Sequence, residues 1–426
     1  MNHRLYLLAS HILLPVVFAR LLIKSRKNPA YRQRWLERIG LYSAQSDKHP
    51  VWIHTVSVGE FNAAKPLIQK LQSDFADIPI LVTTTTPTGS DAVRAHLPEL
   101  HHCYLPYDLP GAVGRFLNHW QPRLSIIFET EIWPTLFRQT DKRLIPILLV
   151  NARLSKKSAR GYQKLQPLIS KTLERVSQIA AASPQDAEQL TNIGSPLEKL
   201  DIYGNTKFDY QPPPEFDDLI AKLKIQLNSG NRPSWVAAST HPEEEAQLLK
   251  CHQLLLKEIP DALLVLVPRH PERFDQVAKL CSDTLTTARR SLSQPCNADI
   301  QVYLADTMGE LPLFYGATDA AFVGGSLVPV GGHNLCEPAA FSRAPLFGPH
   351  MHNFIEISQL LTDEGGAKQI SNYQQLAQEL IGQLNDPELT RERGQQALRT
   401  LEAHRGATDR LIELIARYLA ISSTRT

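Results

Sequence analysis

The residues best suited to chemistry stand where apolar runs end. HTVSVGEFNAAKPLI (54–68) carries Glu60 just past Gly59, so the carboxylate stands at or just before the start of a helix. A carboxylate fixed in that way can serve as a general base towards a hydroxyl. It can equally be a first-turn acid favoured by the helix dipole. FETEIWP (128–134) sets Glu129 and Glu131 two residues apart, on one side if the strand continues that far; Glu131 better fits an ion pair or a cap. VPRHPERF (267–274) places Pro268, Arg269 and His270 after another apolar run. A guanidinium there can hold a phosphate or carboxylate through paired hydrogen bonds, or simply face water.

A second group of motifs points to a nucleotide. FVGGSLVPVGGHNLCEPAA (322–340) combines two glycine pairs with Asn334, Leu335, Cys336 and Glu337 at the entry to a helix. Glycines allow close backbone approach, and N–H groups at a helix start attract phosphate. Glu337 is then placed to accept from two adjacent ribose hydroxyls. DTMGELPLFYGATD (306–319) offers Met308, Gly309 and Glu310 as a loop against the base or phosphate, or as an ordinary loop before a helix. In TTTTPTGSDA (83–92), Ser90 and Asp91 are candidate helix caps. No Asp-x-Asp pair is present, so the metal clamp of many diphosphate-donor transferases lacks its usual ligands. The first strand is not followed by G-x-G-x-x-G, and Ser57 has no nucleophile-elbow context.

The elements that must position these groups alternate. Apolar runs at 51–56, 78–86, 103–107, 124–130, 145–152 and 178–183 are separated by helical stretches, and a second series follows at 235–240, 262–270, 302–307, 320–326 and 344–349. Strand and helix in alternation predict parallel sheets covered on both faces. Between the series, GNTKFDYQPPPEFDD (204–218) contains three consecutive prolines, which fit neither a helix interior nor a central strand. The expected organisation is an anchor and basic flank at 1–40, a first doubly wound domain at 41–208, and a second at 209–426 that includes the C-terminal helices. Ligands in such sheets bind beyond the carboxyl ends of the strands.

Composition narrows the partners. The 426 residues carry 45 Lys and Arg against 43 Asp and Glu, a formal charge of +2, which supplies no general attraction to nucleic acid. The five cysteines are scattered, with no metal-ligand spacing. From Leu5 to Ala19 there is no Asp, Glu, Lys or Arg. A helix from Leu5 to Ile23 would be about 28 Å long, close to the roughly 30 Å of a hydrocarbon core. His11, Pro15 and Arg20 favour an interfacial placement, so spanning and interfacial modes both stay open. Lys24, Arg26, Lys27, Arg32, Arg34 and Arg38 follow the run, where a cleavage site would need small residues; a retained anchor drawn to anionic headgroups is expected, with the body cytoplasmic.

Taken together, NPAYRQRWLERIG, HTVSVGE, TTTPTGS, YLPYDLP, ETEIWP, NARLS, GNTKFD, STHPEEE, VPRHPERF, DTMGEL and FVGGSLVPVGGHN resemble the 3-deoxy-D-manno-octulosonic acid (Kdo) transferases of bacterial lipopolysaccharide synthesis over nearly the whole chain. The resemblance implies a GT-B fold, two Rossmann-like domains facing a central cleft, with an N-terminal membrane-anchor helix at the cytoplasmic face of the inner membrane. It implies inverting transfer of Kdo from CMP-Kdo to the tetraacyldisaccharide lipid A precursor (lipid IVA), with no bound metal. Glu60 becomes the general base, supported by Glu129 and Lys207. CMP binding falls to Pro268, Arg269, Met308, Gly309, Glu310, Asn334, Leu335, Cys336 and Glu337. The middle positions of GNTKFD and HNLCEP vary in the family, so Lys207, Asn334 and Glu337 carry the weight there. The rival expectations are another GT-B enzyme that uses a UDP-sugar, and a membrane-docked nucleotide-binding scaffold.

Overall fold

A computed structural model describes residues 2–43, 49–229 and 232–423. The chain forms two compact units, one of Met1–Asp209 with Arg405–Thr426, the other of Tyr210–His404. The first holds a seven-stranded sheet of β1 (Val51–His54), β2 (Ile80–Thr84), β3 (His101–Tyr104), β4 (Leu124–Phe128), β5 (Ile147–Ala152), β6 (Gln178–Ala181) and β7 (Leu200–Ile202). The second holds β8 (Ser234–Thr240), β9 (Leu263–Pro268), β10 (Thr287–Arg289), β11 (Val302–Leu304), β12 (Ala320–Val323), β13 (Pro345–Phe347) and β14 (Lys368–Gln369).

Every strand pairing is parallel, in the orders β3-β2-β1-β4-β5-β6-β7 and β10-β11-β9-β8-β12-β13-β14. Helices cover both faces, so the central strands are buried throughout and apolar on both sides. Trp52 packs with Phe116, Trp120 and Phe137 on one face of the first sheet, while its neighbour Ile53 joins Phe61, Leu67 and Ile126 on the other. The strand order reverses between β1 and β4 in the first sheet and between β8 and β12 in the second. At such switch points neighbouring loops diverge and leave a crevice.

β7, β10 and β14 were not among the expected runs. Each is two or three residues long and lies at a sheet edge. An edge strand has one unpaired side and needs little apolar sequence, so it leaves a weak pattern. The tail also departs from the expected boundaries. The helix Ala407–Ser423 belongs to the first unit, not the second. Leu411, Ile412, Leu414, Ile415 and Leu419 complete the core around β1 and β4. The Asp209 carboxylate accepts the Gly406 N–H at 2.7 Å, and the Thr408 N–H and hydroxyl at 2.6 Å each.

The N-terminal helix runs from His3 to Lys27, about 37 Å, and includes Pro15. It is long and apolar enough to cross a membrane, yet one side is committed to the first unit. The Tyr6 hydroxyl donates to Asp108 at 2.7 Å, and Phe18 packs against Trp35 and Tyr107 with ring centroids 5.4 and 5.6 Å apart. Leu5, Leu8, Ile12, Leu13, Val16 and Ile23 remain exposed. Two of the basic residues expected to meet headgroups turn inward instead. Arg38 is buried over the Tyr104 ring and donates to Thr85 O, and Arg34 binds Glu37, Ser90 and the His102 carbonyl. Ser90, a candidate cap, therefore lies inside the helix Pro87–His96, which Thr86 caps by accepting the Gly89 N–H.

Candidate active site

In the first unit, β1 ends at His54 and the chain turns into the helix Val58–Asp74, capped by Ser57. Glu60 Oε2 accepts the Val56 N–H at 2.6 Å, and Oε1 accepts from the Ser57 hydroxyl at 3.3 Å. This is the reciprocal Ser-x-x-Glu cap, with the return bond displaced one residue upstream. Glu60 thus closes the helix start, and it also stands beyond the switch-point strand. Burial pushes its carboxyl up to about 8; the Val56 hydrogen bond opposes this, and the charges of Glu129 and Glu131 add to it.

Glu129 follows β4, the strand beside β1. Its φ of +60° puts a non-glycine residue in the left-handed region, a conformation that costs about 1–3 kcal/mol and clusters at functional sites. The backbone stays tied to Val150 O at 2.9 Å, while the carboxylate lies 3.8 Å from Arg153 Nη1. That turn ends the alternation, so the strand does not carry Glu129 and Glu131 together on one side. Burial, reinforced by the charge of Glu129, raises Glu131 to about 7. Lys207 lies in the single turn Thr206–Asp209, set against the end of β5 because Asn151 Oδ1 accepts the Thr206 N–H at 3.1 Å. The Lys207 N–H bonds Asn205 Oδ1 at 3.1 Å.

In the second unit, Pro268 is buried at the end of β9 and can offer only backbone, whereas Arg269 and His270 are partly exposed. Asn334 orders the start of the helix Cys336–Ala340 by accepting the Cys336 N–H at 3.1 Å, and its side chain favours the ionised form of Glu337. Burial raises Glu337 to about 7, against the pull of Asn334 and Arg269. Leu335 and Cys336 are fully buried, so only their main chain is open to a ligand. Met308 is 56% exposed, and Gly309, at φ +86°, faces open space. The Glu310 carboxylate is already held by Arg290, at 2.7 and 3.2 Å, and by Thr307. Its contribution to a ligand is therefore a rigid loop rather than a free charge.

The first glycine pair differs from the expected phosphate cradle. Glu244, fully buried, accepts the N–H groups of Gly325 at 2.8 Å, Ser326 at 3.2 Å, Leu327 at 3.0 Å and His241 at 3.2 Å. An internal carboxylate fills that nest. Glu244, His241 and His333 are not among the residues expected from the sequence; the available signal was STHPEEE (239–245), which ends β8 at a switch point. Among the described residues no cluster of three or more His, Cys, Asp or Glu is arranged to hold a metal ion.

Residues 33–210 match the family described as 3-deoxy-D-manno-octulosonic-acid transferase (kdotransferase). The 3-deoxy-D-manno-octulosonic acid transferase of Haemophilus influenzae is 42% identical over 95% of this chain and 96% of its own length. That of Bordetella pertussis is 33% identical, covering 87% of each chain. The crystal structure of UDP-GlcNAc 2-epimerase from Neisseria meningitidis bound to UDP-GlcNAc is only 15% identical but superposes with a TM-score of 0.58, over 86% of this chain and 100% of that one. The two parallel-sheet units are thus of GT-B type, and the chain belongs to the 3-deoxy-D-manno-octulosonic acid transferase family, glycosyltransferases of lipopolysaccharide synthesis.

Proposed function

We propose that the protein transfers Kdo from CMP-Kdo to a primary hydroxyl of the tetraacyldisaccharide lipid A precursor by one inverting displacement. The observation that carries this reading is Glu60: a desolvated carboxyl, raised to about 8, fixed by two hydrogen bonds beyond a switch-point strand. A base works best with a pKa near the operating pH. The acceptor oxygen attacks the anomeric carbon of Kdo while Glu60 Oε takes its proton. The bond from that carbon to the phosphate oxygen breaks on the opposite face, its electron pair leaves with CMP, and no sugar–enzyme bond forms.

Glu129 and Lys207 support the transition state from the neighbouring strand ends. Arg269 holds the nucleotide phosphate, the main chain at 334–336 and the Met308–Glu310 loop frame the nucleotide, and Glu337 accepts from the ribose hydroxyls. CMP carries a single phosphate, for which cationic side chains are sufficient counter-charge, so a metal is not called for. The N-terminal helix serves as an interfacial anchor on the cytoplasmic face of the inner membrane. Its tie from Tyr6 to Asp108 would have to break for it to span, whereas its exposed apolar side is ready for lipid.

Mass spectrometry of the lipid acceptor after incubation with the protein and a CMP-Kdo generating system tests donor and acceptor together. One or more added Kdo residues are expected. An unmodified acceptor from protein that binds CMP would overturn the acceptor assignment, and a product of retained anomeric configuration would overturn the single displacement.

A further inference from the structure

Arg269 and Glu337 leave unused a pair of histidines in the same unit. His241 follows β8 and His333 lies in the loop before the helix Cys336–Ala340. Their Nε2 atoms are 2.9 Å apart, and the rings stack with centroids 5.1 Å apart at 12°. His270 meets His241 edge-on at 5.2 Å. Gly325, at φ +64°, passes beside both rings, and a Cβ there would come within 3.2 Å of His241 and 3.3 Å of His333. The backbone that Glu244 fixes therefore also shapes the seat of this pair.

Two imidazole nitrogens at this distance are bonded when one donates and the other accepts, which a neutral pair or a singly protonated one supplies, and the surroundings decide between them. Burial, then the charges of His270, Arg269 and Arg273, hold His241 down to about 4. Burial, then His241, Arg269 and His270, hold His333 at about 3. Two buried carboxylates near the pair are engaged elsewhere, while the exposed Glu272 approaches the third ring and Glu337 acts on Arg269. Glu244 accepts backbone N–H groups, Glu245 binds Arg273 at 2.6 and 3.2 Å, and Glu272 lies 3.8 Å from His270. A cluster of cationic or proton-accepting groups whose nearest buried carboxylates, Glu244 and Glu245, are already held by other partners is suited to an incoming anion.

We infer that His241 and His333 form an anion site that takes up a proton when the sugar donor binds. The inference deepens the donor reading above and rests on it. Such a donor carries two anionic groups, the phosphate of its nucleotide and the carboxylate of its sugar acid. Either would favour the protonated pair, in which the added proton turns a neutral N–H···N bond into a charge-assisted one. The proton comes from solvent, and no covalent bond changes. Because the complex binds the extra proton more tightly than the free protein, donor affinity falls as pH rises above the pair's free values.

The test is calorimetric titration of the full chain at pH 7.5 in two buffers of different ionisation enthalpy, first with CMP and then with CMP plus free Kdo. Uptake of about half to one proton per CMP bound identifies the phosphate as the anion. Uptake that requires the added sugar acid identifies the carboxylate. In either case His241→Asn and His333→Asn abolish the uptake, flatten the pH dependence and weaken binding about tenfold; His333→Gln serves if the Asn variant misfolds, as checked by circular dichroism. CMP binding without proton exchange in both arms, or with the same exchange in the variants, overturns the inference and leaves the donor reading standing. Absence of CMP binding altogether defeats the donor reading, and this inference with it.

Discussion

Glu60 Oε2 accepts the N–H of Val56 at 2.6 Å, so the carboxylate proposed as the base also closes the first turn of its own helix. That double duty has a consequence for stability. Below its ordinary value of 4.5 the group is protonated in both folded and unfolded chains. Between 4.5 and about 8 the unfolded chain ionises while the folded one does not, so this residue's contribution falls as pH rises, and it is constant above about 8. Glu60→Gln removes that penalty. The melting temperature of the variant, relative to the native protein, is expected to be higher at pH 9 than at pH 5, by differential scanning calorimetry; an equal difference at both would mean the carboxyl is not desolvated.

The left-handed Glu129 separates backbone from chemistry. Glu129→Ala and Glu129→Gly should lose transferase activity to the same extent, since each removes the carboxylate. The Gly variant should be more stable than the Ala variant by about 1 kcal/mol in urea denaturation, because glycine adopts φ +60° without strain. Equal stabilities would show that the turn is not strained.

Glu244 is expected to be a structural keystone of the second unit rather than a reactant. Truncation to Ala strands the buried N–H groups of Gly325, Ser326 and Leu327, at a cost of about 3 kcal/mol or more. Urea unfolding of the full chain checks this, with CMP affinity falling in parallel. A fully stable Glu244→Ala would imply that the loop relaxes to satisfy itself.

The exposed side of the N-terminal helix should govern membrane attachment. Replacing Leu8, Ile12 and Val16 with Ser leaves the Tyr6–Asp108 bond and the Phe18 contacts intact. Burial of each such side chain is worth about 1.5–3 kcal/mol, so partitioning onto lipid vesicles in a sedimentation assay should drop more than tenfold. Unchanged partitioning would move the attachment site off this helix.

Much of this was legible in sequence because parallel sheets write themselves as apolar runs. Ile147–Ala152 and Leu263–Pro268 are buried along their whole length, and the candidate site residues follow where such runs stop. The edges were not legible, because Thr287–Arg289 and Lys368–Gln369 are half-solvated and short. The fate of the tail was hidden as well. Its amphipathic pattern announces a helix but not the partner, and that partner, Asp209 with the still more distant β1 and β4 core, lies about two hundred residues or more away in sequence. Glu310 and the Gly324–Gly325 pair looked open to a ligand; Arg290 and Glu244, distant in sequence, had already occupied them.

The most direct test of the account is the single-turnover rate of Kdo transfer by Glu60→Gln, measured beside its CMP affinity on the same preparation. General-base catalysis contributes about 10²–10⁴-fold, so the rate should fall by that factor while CMP affinity stays within twofold of the native protein. A variant that transfers Kdo at the native rate, or one that loses CMP binding along with activity, would contradict the assignment of Glu60 as the base.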